Sequence, residues 1–326
     1  MKIIVPVKSA EYLQKYRQAG AAEFYGGILD ERWHQEYGQY IEYNRRGSYA
    51  AKANCTDWRE LEKMVQLALE FETPFYLTVN ALRIVENQMP ILQQILEDYK
   101  RIDGEKVIIS DISLIEPLNE MGFSVTISSC ANIRNQYSAQ FVKELGCERI
   151  IFPRDITVDE IREIKKHIPQ MEYEVFLSNS GCKFSDGNCL GLHGSEVGAL
   201  CDYCRKSVPE FYKPNGTALT GREETYLQEQ NHQYNKLFSH ACAQCVVYQL
   251  KDCADSVKIV GRAANEEKIL EDILLTKQNI VIAEDSKNNE EYLQRMIRPE
   301  NGKWCADYKN CYYRTDMVKE YGARRG

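Results

Sequence analysis

Short apolar runs alternate with amphipathic stretches along the first half of the chain. Ile3–Val7, Glu23–Gly27, Phe75–Asn80, Val107–Asp111, Ser124–Ser129, Arg149–Arg154 and Tyr173–Leu177 read as strands. Helical spacing fills the gaps between them. Leu13 and Tyr16 lie between an N-cap at Ser9 and a stop at Gly20, and Leu61, Val65 and Leu69 follow a cap at Asp57. Ile91, Leu92, Ile95 and Leu96 mark a further helix, and Ser113 is read as the cap of a short one. Tyr137, Phe141 and Leu145 share one face before Gly146, and Thr157 with Glu160 forms a capping box ahead of Ile161, Ile164 and Ile168. The strands read as apolar on both faces, which predicts a parallel sheet covered by helices. Val257–Arg262 supplies an eighth strand. Eight such units predict an α/β fold of the TIM-type (β/α)8 class. A Rossmann sheet is disfavoured, because no glycine-rich fingerprint follows the first strand.

Two stretches fall outside this rhythm. Asp30 to Asn54 reads as a long polar loop carrying Trp33, His34, Tyr37, Tyr40 and Tyr43, and loops of that length usually have a task. The second lies between strands seven and eight and is cysteine-rich. The expected organisation is therefore barrel strands one to seven in 1–181, a cysteine-rich metal-binding insertion in 182–256, and the last strand, a helix with Ile269, Leu270, Ile273 and Leu274, and a tail in 257–326.

Composition narrows the class. The 326 residues are 44% hydrophobic and 27% charged, as in ordinary globular proteins. A net charge of −7 disfavours general coating of nucleic acid. The opening MKIIVPVKSA is too short an apolar run for a signal peptide or a membrane span, so a cytoplasmic location is expected.

Twelve cysteines in a reducing compartment point to metal or redox chemistry rather than to a disulfide framework. Cys55, Cys130, Cys147 and Cys253 stand alone and are assigned to packing. Cys182 and Cys189 are separated by six residues, Cys201/Cys204 and Cys242/Cys245 form CxxC pairs, and Cys305 and Cys311 lie in the tail. Thirty-seven residues separate Cys204 from Cys242, too many for an ordinary zinc ribbon. A [4Fe–4S] cluster tolerates such irregular spacing, with zinc and unligated thiols as the alternatives. His193 is read as a solvated loop histidine.

Barrel chemistry belongs at the C-terminal ends of the strands. Placed there by the pattern are Tyr25, Asn80, Asp111, Ser129, Arg154, Asp155, Glu174 and Arg262. Arg154, Asp155 and Glu174 are the catalytic candidates. Tyr25, Asn80, Arg154 and Arg262 are the substrate-binding ones, since arginines hold carboxylates or phosphates by paired bonds. The competing reading pairs the two arginines internally with Asp111, Asp155 or Glu174. Neither a Ser–His–Asp arrangement nor HExxH is present.

KSAEYLQKYRQAGAAEFYGG, LTVNAL, IISD, ELGCERIIFPRDIT, EVF before Cys182, the Cys204–Arg205 pair and KIVGR together resemble the collagenase-like peptidase family U32, across most of the chain. That resemblance implies either the peptidase activity of the family's label or the oxygen-independent hydroxylation and RNA modification of other members. The latter carry a four-cysteine [4Fe–4S] cluster, and some use prephenate as oxygen donor. By position Cys182, Cys189 and Cys204 match three ligands, and the fourth falls on Cys242 or Cys245. Cys201, Cys305 and Cys311 are left for a second centre. The resemblance also implies a homo- or heterodimer. The His-Gly that members commonly place before the first cysteine is Ser178-Asn179 here, and their Arg-Glu is Arg154-Asp155.

Three functions follow as expectations. The first is an iron–sulfur enzyme that hydroxylates or modifies a small molecule or RNA, with the tyrosine-rich loop over the substrate. The second is a peptidase, which needs a reactive thiolate such as Cys55. The third is a non-catalytic binding protein stapled by metal.

Overall fold

The computed structural model describes residues 1–38, 42–45, 50–179, 181, 186–189, 193–194, 198–199, 213–227, 241–299 and 312–313. Eight parallel strands close into a barrel: β1 (Lys2–Pro6), β2 (Glu23–Gly26), β3 (Phe75–Val79), β4 (Lys106–Ile109), β5 (Ser124–Ile127), β6 (Arg149–Ile151), β7 (Glu172–Ser178) and β10 (Ser256–Ile259). Closure runs through β1, with Lys2 opposite Ser256 on one side and Ile4 opposite Glu23 on the other. A two-stranded hairpin, β8 (His193–Gly194) with β9 (Gly198–Ala199), lies between β7 and β10 in the chain. The expected (β/α)8 barrel is thus present. Much of 182–240 lies outside the described residues. Ala241, Ala243, Val246, Val247, Leu250 and Cys253, in the stretch read as the insertion, belong to the buried hydrophobic core.

The predicted caps at Ser9 and Asp57 and the Thr157–Glu160 box form as expected. Gly20 ends the first helix at φ 120, a backbone region that L side chains avoid. Four local expectations are corrected. Asp111, and not Ser113, caps the turn after β4, its carboxylate accepting from Ser113 N. The helix Gln136–Glu144 buries Ala139 and Val142, whereas Tyr137 is 79% and Phe141 54% exposed. Two interleaved stripes share one helical period there, and the small residues are the ones that fit against the sheet. The Asp30–Asn54 loop contains helices at Glu31–Tyr37 and Ala50–Ala53, and Trp33 and Tyr43 are buried edge to face rather than offered to a substrate.

The fourth correction concerns the barrel interior, which is not apolar throughout. Arg149 of β6 donates to Glu23 of β2 at 2.6 and 2.8 Å, with β5, β4 and β3 between them in the ring. That contact therefore crosses the lumen. Glu174, a catalytic candidate expected at a strand's C-terminal end, sits third in β7. It accepts from Lys258 at 2.6 Å and Arg149 at 3.3 Å. Two carboxylates and two cations, all buried, balance one another at the N-terminal half of the lumen. Arg149 also lies over the Tyr76 ring and Lys258 over that of Tyr25. This end is plugged by ion pairs and aromatic rings, which leaves the other end for chemistry.

Candidate metal centre

At the C-terminal end, β4 and β5 hand over directly to short 3-10 turns, Ile112–Leu114 and Ser129–Ala131. After β6 comes Arg154, whose backbone N–H donates to Asp186 at 2.9 Å and whose guanidinium also pairs with Asp186. The same guanidinium lies 4.0 Å from the Phe176 ring centroid. Asp186 opens the 3-10 turn Asp186–Asn188, and Cys189 follows directly. The turn Ser129–Ala131 after β5 packs against it and presents Cys130. Between the two thiols lies Arg45, contacting Cys130 and donating to Cys189 Sγ at 3.0 Å.

β7 ends at Ser178, which pairs antiparallel with Cys242. Asn179 donates to the Ala241 carbonyl at 2.7 Å, and Ala243 to that of Leu177 at 2.7 Å, so the Cys242 peptide continues the sheet edge. Tyr312 N donates to the Cys242 carbonyl at 2.9 Å, and its hydroxyl reaches the Asn179 carbonyl. Burial raises the Tyr312 hydroxyl to about 12, with opposing influences from Arg154, Asp186 and Cys242. One side chain therefore senses both the Arg154–Asp186 pair and the Cys242 thiol.

Gln244, inside the Cys242–Cys245 turn, is 1% exposed. It donates to Thr276 at 2.8 Å, accepts from Asn279 at 3.0 Å, and its carbonyl accepts from Tyr292. Thr276 and Asn279 belong to the helix Glu266–Asp285. A polar lock thus fixes the CxxC turn against that helix.

The remaining candidates separate. Arg262, 5% exposed, donates to Thr78 at 2.7 Å, Asn54 at 3.1 Å and the Asn44 carbonyl at 2.6 Å. It ties the turn after β10 to the segment after β2 and to β3 itself. Gly27 lies against this knot, for a Cβ there would sit 2.4 Å from Asn54 and 2.7 Å from Thr78. Asn80 follows β3 with its Oδ1 enclosed and unpartnered. Tyr25 donates to the Ile259 carbonyl at 3.2 Å inside the barrel. Asp155 pairs with Arg134 at the surface, and Asp111 serves as a cap. Arg154 pairs internally with Asp186.

Cys182, Cys201, Cys204, Cys305 and Cys311 lie outside the described residues. Cys55, Cys130, Cys147 and Cys253 are buried, and burial raises all four thiols, Cys147 to about 12 and Cys253 to about 11. Cys189 and Cys242 are partly exposed thiols at one barrel end, of the type that soft metals take, and Arg45 donates to Cys189; among the described residues no three His, Cys, Asp or Glu side chains gather as a ligand set. Arg45, Asp186, Gln244 and Tyr312 escaped the sequence reading. Asp186 stood three residues before a cysteine and Gln244 inside a CxxC, which was the available signal.

The model of peptidase family U32 matches residues 8–320. An uncharacterized protease of Methanocaldococcus jannaschii is 23% identical over 88% of this chain and 70% of its own length. A collagenase of Porphyromonas gingivalis is 24% identical over 67% of this chain and 52% of its own length. The tRNA hydroxylation protein P1 of Bacillus subtilis is 27% identical over 54% of this chain and 44% of its own length. The chain thus spans about half the length of the latter two. A solved U32 peptidase aligns with a TM-score of 0.46 at 13% identity, over 80% of this chain and 93% of that one.

Proposed function

The chain belongs to peptidase family U32, and on that premise we propose an iron–sulfur enzyme that hydroxylates or otherwise modifies a small molecule or an RNA without molecular oxygen. The observation that carries this reading is the convergence of Cys189 and Cys242, far apart in sequence, on one end of a barrel whose other end is plugged. Relatives named for tRNA hydroxylation and for 23S rRNA 5-hydroxycytidine synthesis support the reaction class.

Cys182, Cys189, Cys204 and Cys242 would hold a [4Fe–4S] cluster. Such a cluster supplies electrons and, at an open iron, Lewis acidity. Cys242 is preferred over Cys245 as the fourth ligand, because its peptide is pinned to the end of β7 and to Tyr312. Arg154, 16% exposed and lying over the Phe176 ring, orients an acidic co-substrate, while Arg262 clamps the loops that shape the mouth. No helix among the described residues is long and apolar enough to cross a membrane.

The peptidase reading finds less support. Cys55 is 5% exposed, its thiol is raised by burial and donates to the Asp57 carbonyl at 3.1 Å. Among the described residues, His34 contacts Glu42 and His167 the Glu163 carbonyl, so neither serves a nucleophile.

The test compares single Cys→Ser variants purified anaerobically. Cys189→Ser and Cys242→Ser should lose iron and visible absorbance, and Cys245→Ser should keep both. Full iron content in Cys242→Ser, or a colourless wild type with stoichiometric zinc, overturns the proposal.

A further inference from the structure

Arg45 is placed with unusual determination. It adopts a left-handed backbone at φ 66, disfavoured for a long side chain. The segment around it enforces that conformation. Arg45 N donates to the Glu42 carbonyl at 2.9 Å, Tyr43 OH to the Ile28 carbonyl at 2.7 Å, and Ala81 N to the Tyr43 carbonyl at 2.8 Å. The Asn44 carbonyl is held by Arg262. Backbone strain kept in place by so many bonds marks a side chain that must point one way.

It points at sulfur. One terminal nitrogen contacts Cys130, the other donates to Cys189 at 3.0 Å, and the enclosed Nε has no partner. Neutral thiols are weak acceptors and poor compensation for an enclosed guanidinium. Asp186, which also acts on Arg45, is already paired with Arg154. Two guanidiniums therefore share one carboxylate, leaving one positive charge whose hydrogen-bond partners are thiols. A structural arginine of this kind would be expected to meet a carboxylate or carbonyls, as Arg149 and Arg262 do.

We propose that Arg45 is a positioning residue that offsets the negative charge of the thiolate centre through Cys189 and so raises its reduction potential. The inference rests on the iron–sulfur reading above and adds to it the group that tunes the cluster. A fixed cation beside a cluster favours the more negative, reduced state. Cys130 holds the far side of the guanidinium and needs no bond to iron.

Arg45→Met and Arg45→Lys are compared with wild type by iron and sulfide content and by redox titration followed with electron paramagnetic resonance. Arg45→Met should titrate lower, by about tenfold or more in the reduction equilibrium, about 59 mV for one electron. Arg45→Lys should lie nearer wild type. Loss of the cluster in Arg45→Met with retention in Arg45→Lys also supports the charge role. Equal potentials in a fully loaded Arg45→Met overturn the inference, as does loss of the cluster from both variants when their thermal melts match wild type. A wild type without iron overturns the preceding reading instead.

Discussion

Replacing Arg149 by Met tests the plug that closes one end of the barrel. The guanidinium side chain is 3% exposed and serves Glu23, Glu172 and Glu174 at once. After truncation Glu174 keeps Lys258 at 2.6 Å, but Glu23, fully buried, keeps only Ser256 at 3.1 Å and Lys2 at 3.3 Å. Lys2 is 51% exposed and therefore well screened. One buried carboxylate is left without adequate compensation, which typically costs about 3–5 kcal/mol. Domain stabilities are about 5–15 kcal/mol, so the loss should be plain in urea denaturation. The pH response gives a second handle. In wild type burial pushes Glu23 up, but the hydrogen bonds and charge of Arg149 outweigh it and hold the carboxyl below its usual range. The stability this confers is present above the ordinary glutamate value and is lost as pH falls through the lowered one. Without Arg149, burial dominates and the sign reverses: the variant gains stability as pH falls from about 7 toward about 5. Glu23→Gln in the Arg149→Met background should recover part of the loss, a coupling of about 0.5–3 kcal/mol. A loss under about 1 kcal/mol, additive and with unchanged pH dependence, would show that the lumen network is not what closes the barrel.

Two further outcomes follow from the same bonds. Gln244→Leu removes the amide that Thr276 and Asn279 share, so a loss of about 2–3 kcal/mol in chemical denaturation is expected, with faster release of bound iron to a chelator; unchanged iron release would mean that the CxxC turn is held by other contacts. Asp272 is raised by burial, against its bonds to Asn179 and Lys268. Its folded value lies above the unfolded one, so the folded state loses stability as pH rises between them, and Asp272→Asn should flatten that slope and be at least as stable near neutrality. Urea midpoints across that range that still fall in parallel with wild type would refute the assignment.

The barrel was legible because the barrel strands carry apolar runs and helices such as Ala10–Ala19, Trp58–Glu70 and Val158–His167 carry capping side chains, both local signals. Its filling was not. Glu172 and Glu174 do alternate on one face beside Arg149 of the neighbouring strand, but Glu23, the third carboxylate on Arg149, sits across the lumen, and only closure of the ring brings it there. Glu174 was consequently placed at the wrong end. The helix Gln136–Glu144 misled for a different reason: Tyr137 and Phe141 have helical spacing and the larger apolar area, yet Ala139 and Val142 are the residues it buries. At the mouth, cysteine spacing singled out thiols as candidate ligands, whereas Arg45 and Tyr312 carry no motif. They belong to the site through contacts that span 144 and 133 residues.

The most direct measurement is iron and acid-labile sulfide on anaerobically purified wild-type protein, with paramagnetic resonance after reduction. The account predicts roughly four of each per chain and a reduced-cluster signal. Protein that binds stoichiometric zinc, or that stays colourless and silent with every cysteine free, would contradict it.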